Sequence, residues 1–374
     1  MCSQNSENLK SKFGDYFLMG ATINQEDYQI IDKDKKAINI VLKDFNSVTP
    51  ENSMKWMHIH PDYKKIIEAY AQGINSYASS HPKEVLYQGL FPVTPKKMMR
   101  YAQLQLFISS KGDQWVQRIT QNKLNYDFSD NEIPKGSNTF AFNSFKTSDG
   151  STFLANNTHQ PLDGPVSWYE AHLCCEEGTN ILGALFAGSP NILIGVNENL
   201  GWAHTVNQPD KTDVFALEMH PKNKLKYKVD DEYFDLIPQK ANLEFRILGI
   251  PIKIKKAFYK SIYGPTLKSK TGMYAIRTPA LNEIRALEQW WRMNKASNFT
   301  EFYNILKMKA LPGYNIGYAD KNDTIFYISN GLIPKRSEGY DWGGVVPGNT
   351  RKTLWRDCLL YTSDAADEED SVDL

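Results

Sequence analysis

The sequence KGSNTF at residues 135–140 lies between a helical half of the chain and a half with the periodicity of β-strands. Upstream, residues 62–131 are predicted to be mostly helical. A first helix carries an apolar stripe formed by Ile66, Ile67, Tyr70, Ile74 and Tyr77, and a second helix begins at Met98. Downstream, phenylalanines at 140, 142 and 145 precede a Ser-Asp-Gly turn at 148–150 and Phe153 follows it, which predicts a β-hairpin. Further strands are predicted near 192–195, 214–218, 245–254, 314–319 and 324–329, and helices over 279–309. Helix blocks beside a large antiparallel sheet predict an α+β fold.

The first sixty residues have a different pattern. Residues 16–21 and 45–48 are strand-like, and residues 34–44 between them carry apolar side chains at helix spacing. Strand, helix and strand form a βα unit of a parallel sheet, which cannot bury both of its faces by itself.

The composition of the 374-residue chain excludes several classes of partner. Its 43 basic and 43 acidic residues cancel, so the overall charge favours no nucleic acid. No stretch approaches the ~18 consecutive apolar residues of a membrane span. Four cysteines, two near the ends and two adjacent, suit buried thiols better than disulfides or a zinc site. No signal peptide is visible, and the compartment stays open.

Ser137 could combine a nucleophile and its base in one residue. A serine hydroxyl is a poor nucleophile without a base. If the Gly136–Ser137 bond breaks, Ser137 gains an α-amine whose reference pKa of about 7.7–8 suits a general base near neutral pH. Gly136 has no side chain to hinder attack of the hydroxyl on its carbonyl, which would give an ester that water opens. Taken alone, Gly-Ser-Asn is also an ordinary turn sequence.

The motifs after Ser137 follow a fixed order. They are ANNTH (155–159), WYEAHL (168–173), GALFAGSPNILIGV (183–196), WAHTV (202–206), SIYGP (261–265) and VPGN (346–349). Over residues 62–355 the chain resembles the penicillin acylase family of N-terminal-nucleophile hydrolases. It is most similar to the acyl-homoserine-lactone and lipopeptide acylases, because His159 replaces the glutamine of the penicillin enzymes.

This resemblance implies a fold and an activity. The fold would be a four-layer αββα core, and the activity the removal of an acyl chain from an amine such as a homoserine lactone or β-lactam. The small acyl-amide substrate would react through an acyl-enzyme on Ser137, freed by self-cleavage at Gly136–Ser137, and the two chains would stay together as a heterodimer. His159 would orient the Ser137 amine, and the Val206 backbone N–H would bind the oxyanion. The family also implies an extracytoplasmic location and no required cofactor.

The resemblance suggests two further groups of residues. An apolar acyl pocket would be formed by aromatic side chains, although such residues also form ordinary cores: Phe140, Trp168, Phe186 and Trp202. Asp210 and Asp213 follow Val206 at the spacing of calcium-ligating carboxylates in the penicillin enzymes. Calcium requires about six to eight oxygen ligands, so a solvated loop is the simpler interpretation of two carboxylates.

The sequence departs from the family pattern near its end. The family's second oxyanion donor is an asparagine side chain downstream of VPGN, and no asparagine follows Asn349. We therefore expect an acylase core that is incomplete at the C-terminus, with an exposed sheet edge and turnover lowered by ~10²-fold or more. Residues 358–374 are predicted to be a disordered acidic tail.

The front of the chain resembles another family. FLMGA (17–21), FNSVTPENSMKW (45–56) and IHP (59–61) are similar to the start of family-10 endo-β-1,4-xylanases, which are TIM barrels. This resemblance implies that Glu51, Asn52 and Lys55 hydrogen-bond a sugar, but neither catalytic carboxylate can be assigned. The predicted division is therefore a xylanase-like βα fragment (1–61), a helical segment (62–136), a catalytic segment (137–357) and the tail (358–374). A xylanase and an inactive chain that binds acyl ligands are the alternatives to an acylase.

Overall fold

The protein is described by a computed structural model over residues 20–23, 47–50, 59–124, 136–161, 163–176, 178–207, 209–247, 250–281, 283–355 and 358–360. Strands β1 (Gly20–Ile23) and β2 (Ser47–Pro50) pair in parallel, as the predicted βα unit requires. The helix predicted over 34–44 lies outside the described residues. Two paired strands do not by themselves identify a TIM barrel.

Residues 59–124 form three helices: α1 (Pro61–Ser80), α2 (Pro95–Ser109) and α3 (Gly112–Gln121). Both α1 and α2 begin with proline, which has no N–H to leave unpaired in the first turn. Thr94 caps α2 by accepting from the Lys97 N–H at 3.3 Å. The predicted apolar stripe of α1 is only partly right. Ile67 is buried with Tyr63 and Ala71, whereas Tyr77 stacks on His81 in the last turn and is exposed.

The strands after residue 136 and two more helices are as follows, in chain order: β3 (Ser137–Phe142), β4 (Phe153–Thr158), β5 (Trp168–Cys175), β6 (Thr179–Phe186), β7 (Ile194–Asn197), β8 (Leu200–Thr205), β9 (Asp213–His220), β10 (Asn223–Val229), β11 (Glu232–Asp235), β12 (Ile237–Ile247), β13 (Ile250–Ser261), β14 (Gly264–Lys268), β15 (Met273–Arg277), α4 (Ala286–Lys295), α5 (Phe299–Leu306), β16 (Gly313–Asp320), β17 (Ile325–Pro334), β18 (Val345–Pro347) and β19 (Cys358–Leu360). Short 3₁₀ turns lie at residues 88–90, 144–146 and 279–281. The predicted hairpin at the start of this half is confirmed as β3 and β4.

A seven-stranded sheet has the order β19-β17-β16-β8-β7-β6-β5 and is covered on one face by α1, α2, α4 and α5. The core between them includes Ile67 of α1, Trp202 of β8, Phe302 of α5 and Tyr318 of β16, each with at most 1% of its surface exposed. The apolar faces of the helices and of the sheet thus bury each other, as an α+β fold requires.

The β3–β4 hairpin lies against the other face of this sheet. A Cβ atom at Gly317 of β16 would come within 2.8 Å of Thr139 Oγ1, and one at Gly201 of β8 within 3.1 Å of Leu154 Cδ2. The hairpin therefore approaches β8 and β16 where they carry no side chain. Helices, seven-stranded sheet and hairpin are thus three successive layers, and the four-layer αββα arrangement implied by the resemblance stays a prediction.

A second sheet of eight strands has the order β11-β10-β9-β15-β14-β13-β12, and β18 pairs in parallel with β9. Helix α3 covers it by packing Trp115 and Ile119 against Val214 and Ile276. The single strand predicted over 245–254 is in fact the tip of the β12–β13 hairpin. The apolar run continues across the reversal, so hydrophobicity alone does not mark it.

The prediction of a disordered tail from residue 358 is wrong for its first three residues. Residues 358–360 form β19 and pair with residues 332–334 of β17. The apolar Cys-Leu-Leu run extends the sheet at this edge, whereas residues 361–374 lie outside the described part. Among the described helices, none is long and apolar enough to cross a membrane.

Candidate active site

Ser137 is the first residue of β3, and the hairpin register places it opposite Thr158 of β4. Its hydroxyl donates to the carbonyl oxygen of Gly136 at 2.7 Å. The backbone N–H of His159 donates to Ser137 Oγ at 3.3 Å. The nucleophile proposed from the sequence thus lies beside the carbonyl that self-cleavage would attack.

His159 follows the last residue of β4, and the hairpin brings it back to the Gly136–Ser137 peptide. A Cβ atom at Gly136 would be 3.8 Å from His159 Nδ1. The other ring nitrogen, Nε2, lies 3.2 Å from Asn157 Nδ2, so it accepts from that amide and Nδ1 carries the proton of the neutral ring. Nδ1 of the imidazole is therefore on the side of the Gly136–Ser137 peptide, whose nitrogen would become the free amine of Ser137 after cleavage.

Ser137 lines a pocket with about 330 Å³ of space between its walls, a volume that includes open solvent. Val206, which follows β8, lies on the same pocket wall, as do the rings of Trp168 and Phe186. These two rings stack with their centroids 4.4 Å apart. The structure therefore brings together the proposed nucleophile, the proposed oxyanion donor and two of the four aromatic residues proposed for the acyl pocket.

Two of the proposed pocket residues lie elsewhere. Phe140 is three residues from Ser137 on one strand, so its side chain points to the opposite face, where 55% of it is exposed. Trp202 is buried in the core, where it packs on Phe302 and its indole N–H donates to the Leu193 carbonyl at 2.7 Å. The alternation of side chains in a strand already excludes Phe140, whereas only the helix packing excludes Trp202.

The pocket wall also contains His204 and Trp290, which the sequence interpretation did not select. Trp290 Nε1 donates to His204 Nε2 at 2.9 Å. An indole nitrogen can only donate, so Nδ1 of His204 carries the proton. Burial lowers the pKa of His204 to about 3, which keeps the ring neutral. His204 lies on β8, two residues before Val206, and this spacing could have indicated from the sequence that it belongs to the site. Trp290 reaches the site only through the packing of α4.

Asp210 and Asp213 are paired with an arginine. Arg336 Nε and Nη2 donate to the two carboxylate oxygens of Asp213, each at 3.0 Å, and Nη2 also donates to Asp210 Oδ2 at 2.9 Å. The guanidinium therefore lies where the sequence interpretation considered a calcium ion or a solvated loop. Among the described residues, no group of three or more His, Cys, Asp or Glu side chains could hold a metal ion.

The candidate sugar-binding residues Glu51, Asn52 and Lys55 lie outside the described residues, so their role stays a prediction. The second oxyanion donor also remains unassigned.

The fold and the site together define a class of protein. An α+β fold in which a serine opens a strand beside a pocket is the arrangement expected from the resemblance to N-terminal-nucleophile hydrolases. The family model described as penicillin amidase matches residues 46–369. The chain belongs to the penicillin amidase family. This match includes residues 46–61 of the segment with the xylanase resemblance.

Individual relatives are similar over part of their length. The acyl-homoserine lactone acylase PvdQ of Pseudomonas fluorescens (strain Pf0-1) is 23% identical over 312 residues, which are 75% of this chain and 40% of the relative. Aculeacin-A acylase of Actinoplanes utahensis is 25% identical over 211 residues, or 54% and 26% of the two chains. A thermostable penicillin G acylase from Alcaligenes faecalis aligns with a TM-score of 0.49 and 20% identity, over 60% of this chain and 40% of that one. The chain thus spans less than half the length of these relatives.

Proposed function

We propose that this chain is an acylase that hydrolyses the amide bond between an acyl chain and an amine, with Ser137 as its nucleophile. The observation that carries the proposal is the position of Ser137. Its hydroxyl lies 2.7 Å from the Gly136 carbonyl oxygen, next to His159 and on the wall of a pocket that also contains aromatic rings. This position supports a role of the same residue in self-cleavage and in acyl transfer.

Self-cleavage would proceed by an acyl shift. Ser137 Oγ attacks the Gly136 carbonyl carbon, and the hydroxyl proton passes to the Ser137 nitrogen as the C–N bond breaks. Water then hydrolyses the ester, which leaves a carboxylate on Gly136 and a free α-amine on Ser137. The 3.3 Å hydrogen bond from the His159 N–H holds the hydroxyl oxygen during this step.

The freed amine would then serve as the general base for the substrate. Ser137 Oγ attacks the amide carbonyl carbon, its proton passes to the α-amine, and the backbone N–H of Val206 stabilises the oxyanion. Collapse expels the substrate amine, which takes that proton, and leaves an acyl ester on Ser137. Water releases the acid by the same route in reverse.

The substrate class follows from the pocket and from the relatives. The stacked rings of Trp168 and Phe186, with Leu193 and Ile194, offer an apolar wall suited to an acyl chain. The names of the relatives point to an acyl-homoserine lactone or an acylated peptide as the amide. We therefore propose linear acyl amides of these kinds, with β-lactam amides as a further option.

The two cleavage products would stay together as a heterodimer. Helices α1 and α2 from the first product bury their apolar faces on the seven-stranded sheet of the second. Polar contacts cross the same boundary: Asn191 Nδ2 donates to Tyr63 Oη at 2.6 Å, and Thr212 Oγ1 to the Ser110 carbonyl at 2.7 Å. This shared core supports the proposal that the products stay associated under native conditions.

Intact-mass analysis of the purified chain tests the central step. We expect two products that join at 136/137 and co-elute in size-exclusion chromatography. Ser137→Ala should leave one chain of full mass. Ser79→Ala, which removes an exposed hydroxyl in α1, should be cleaved like the wild type. A folded wild type that stays uncut would contradict the processing step.

Turnover is tested separately by mass spectrometry of N-acyl-homoserine lactones incubated with the processed protein. We expect release of free fatty acid and homoserine lactone by the wild type and by Ser79→Ala, and no release by Ser137→Ala. Release by Ser137→Ala at the wild-type rate would place the nucleophile elsewhere.

A further inference from the structure

The link between β8 and β9 carries Val206 at its start and the Arg336 ion pair at its end. Val206 directly follows β8, and Asp213 is the first residue of β9. Arg336 lies two residues beyond the end of β17 and holds Asp213 by two parallel hydrogen bonds of 3.0 Å. It therefore joins the seven-stranded sheet to the eight-stranded sheet at the link.

The carboxylate of Asp213 is almost fully buried, whereas the Arg336 side chain is 17% exposed. Asp213 is 1% exposed, and its Oδ2 also accepts from Trp355 Nε1 at 2.7 Å. The Arg336 guanidinium lies over the Trp342 ring, 5.6 Å from its centroid. Burial raises the pKa of Asp213 to about 6, although the hydrogen bonds and charge of Arg336 oppose this. Above that pH a buried carboxylate needs its cation, because an unpaired charge there is strongly unfavourable.

The rest of the link is fastened to the same elements. Asn207, the residue after Val206, donates from Nδ2 to the Asn330 carbonyl of β17 at 3.2 Å and accepts from Lys211 Nζ. The Thr212 N–H donates to Asp210 Oδ1 at 3.2 Å, and Arg336 holds the other oxygen of that carboxylate. Both ends of the link therefore depend on β17 and on the residues that follow it.

We propose that Arg336 is a positioning residue for the backbone N–H of Val206, which it aligns by clamping the β8–β9 link between the two sheets. The clamp needs a planar, bidentate cation, because a lysine ammonium is a point charge that cannot form two parallel bonds to one carboxylate. The proposal rests on the proposed function, since the N–H of Val206 matters only if an oxyanion forms beside Ser137.

Hydrogen–deuterium exchange tests the clamp without any need for activity. We would measure backbone exchange of residues 203–213 in the full chain carrying Ser137→Ala. Arg336→Met should raise exchange of this segment by roughly ten-fold or more, and Arg336→Lys by less. The matched control is Arg351→Met, because Arg351 also bridges two carboxylates, Asp230 and Glu232. This variant should leave the exchange of residues 203–213 unchanged. Unchanged exchange in Arg336→Met overturns the clamp.

Kinetics of the processed enzyme test the positioning role. A misplaced oxyanion donor should lower kcat by ~10–10²-fold and leave KM within about two-fold, with partial recovery in Arg336→Lys. Faster exchange with an unchanged kcat, or a loss confined to KM, overturns the positioning role. If Arg336→Met does not fold, the exchange and kinetic measurements are made with Arg336→Lys, and Arg351→Lys serves as its control. A wild type without turnover contradicts the proposed function, and the exchange result still decides the clamp.

Discussion

The contact between Gly317 and the hairpin provides a sharp test of how Ser137 is placed. In Gly317→Ala, the new Cβ would lie 2.8 Å from Thr139 Oγ1 and 2.9 Å from Thr139 Cγ2. Optimal separations of such atoms are ~3.5–4.0 Å, so the hairpin must move away by ~0.5–1 Å. Overpacking of this kind costs ~1–3 kcal/mol, offset by ~0.4–1 kcal/mol because alanine restricts the unfolded chain. We expect a net loss of ~1–2 kcal/mol in the free energy of unfolding.

The same displacement should slow self-cleavage. Thr139 and Ser137 lie two residues apart on one face of β3, so a shift at Thr139 moves the nucleophile with it. A misplacement of ~1 Å can cost ~10²-fold in rate. Urea unfolding followed by tryptophan fluorescence, in chains that carry Ser137→Ala, measures the first effect. Time-resolved intact mass of the Ser137 chains measures the second.

A double-mutant cycle isolates the cause. In Thr139→Ala the clashing γ atoms are gone, and the remaining Cβ lies 3.5 Å from the new methyl, which is ordinary contact. Gly317→Ala should therefore cost ~1–2 kcal/mol less in the Thr139→Ala background. The control is Gly73→Ala in α1, where nothing lies within 4 Å of the new atom, and where ~0.5–1 kcal/mol of added stability is expected. Costs of Gly317→Ala that are equal in both backgrounds would refute the close-approach explanation.

Three further predictions concern the metal, the pH dependence and the pocket. EDTA and added Ca²⁺ should both leave the melting temperature and the extent of self-cleavage unchanged, because Arg336 already pairs with both carboxylates. A shift of several degrees with either would contradict this. Burial depresses the pKa of His204 to about 3, so its stabilising contribution is present above the unfolded pKa near 6.5 and is lost as the pH falls towards 3. In this pH window the free energy of unfolding of His204→Phe should change with pH less steeply than that of the wild type, by up to ~1.4 kcal/mol per pH unit. Equal slopes would contradict a buried, neutral His204. Trp168→Ala should weaken the binding of long acyl amides by ~10-fold or more, whereas Phe140→Ala on the outer face should not; equal effects in the kinetic comparison would mean that the pocket is misassigned.

Local sequence determined the order of the elements and the position of Ser137, the proposed nucleophile. The change of period at residues 135–140 marks the boundary between helices and strands because a helix and a strand bury side chains at different intervals. The Ser-Asp-Gly turn, eight to ten residues after Phe140, folds β4 back on β3, and the register then brings His159 next to Ser137. These relations are short-range, so the sequence predicts them.

Long-range packing decided what surrounds Ser137. Trp290 reaches His204 from a helix 86 residues later, and Arg336 meets Asp213 across 123 residues. Trp202 and Phe140 look alike in the sequence as aromatic residues near the motifs, but one is buried beneath α5 and the other lies on the outer face of the hairpin. Periodicity records which face of an element is apolar and carries no information about the element that covers it. The pocket wall and the cation beside the carboxylates are therefore properties of the tertiary structure, because each needs two distant segments to be held in contact by the same core.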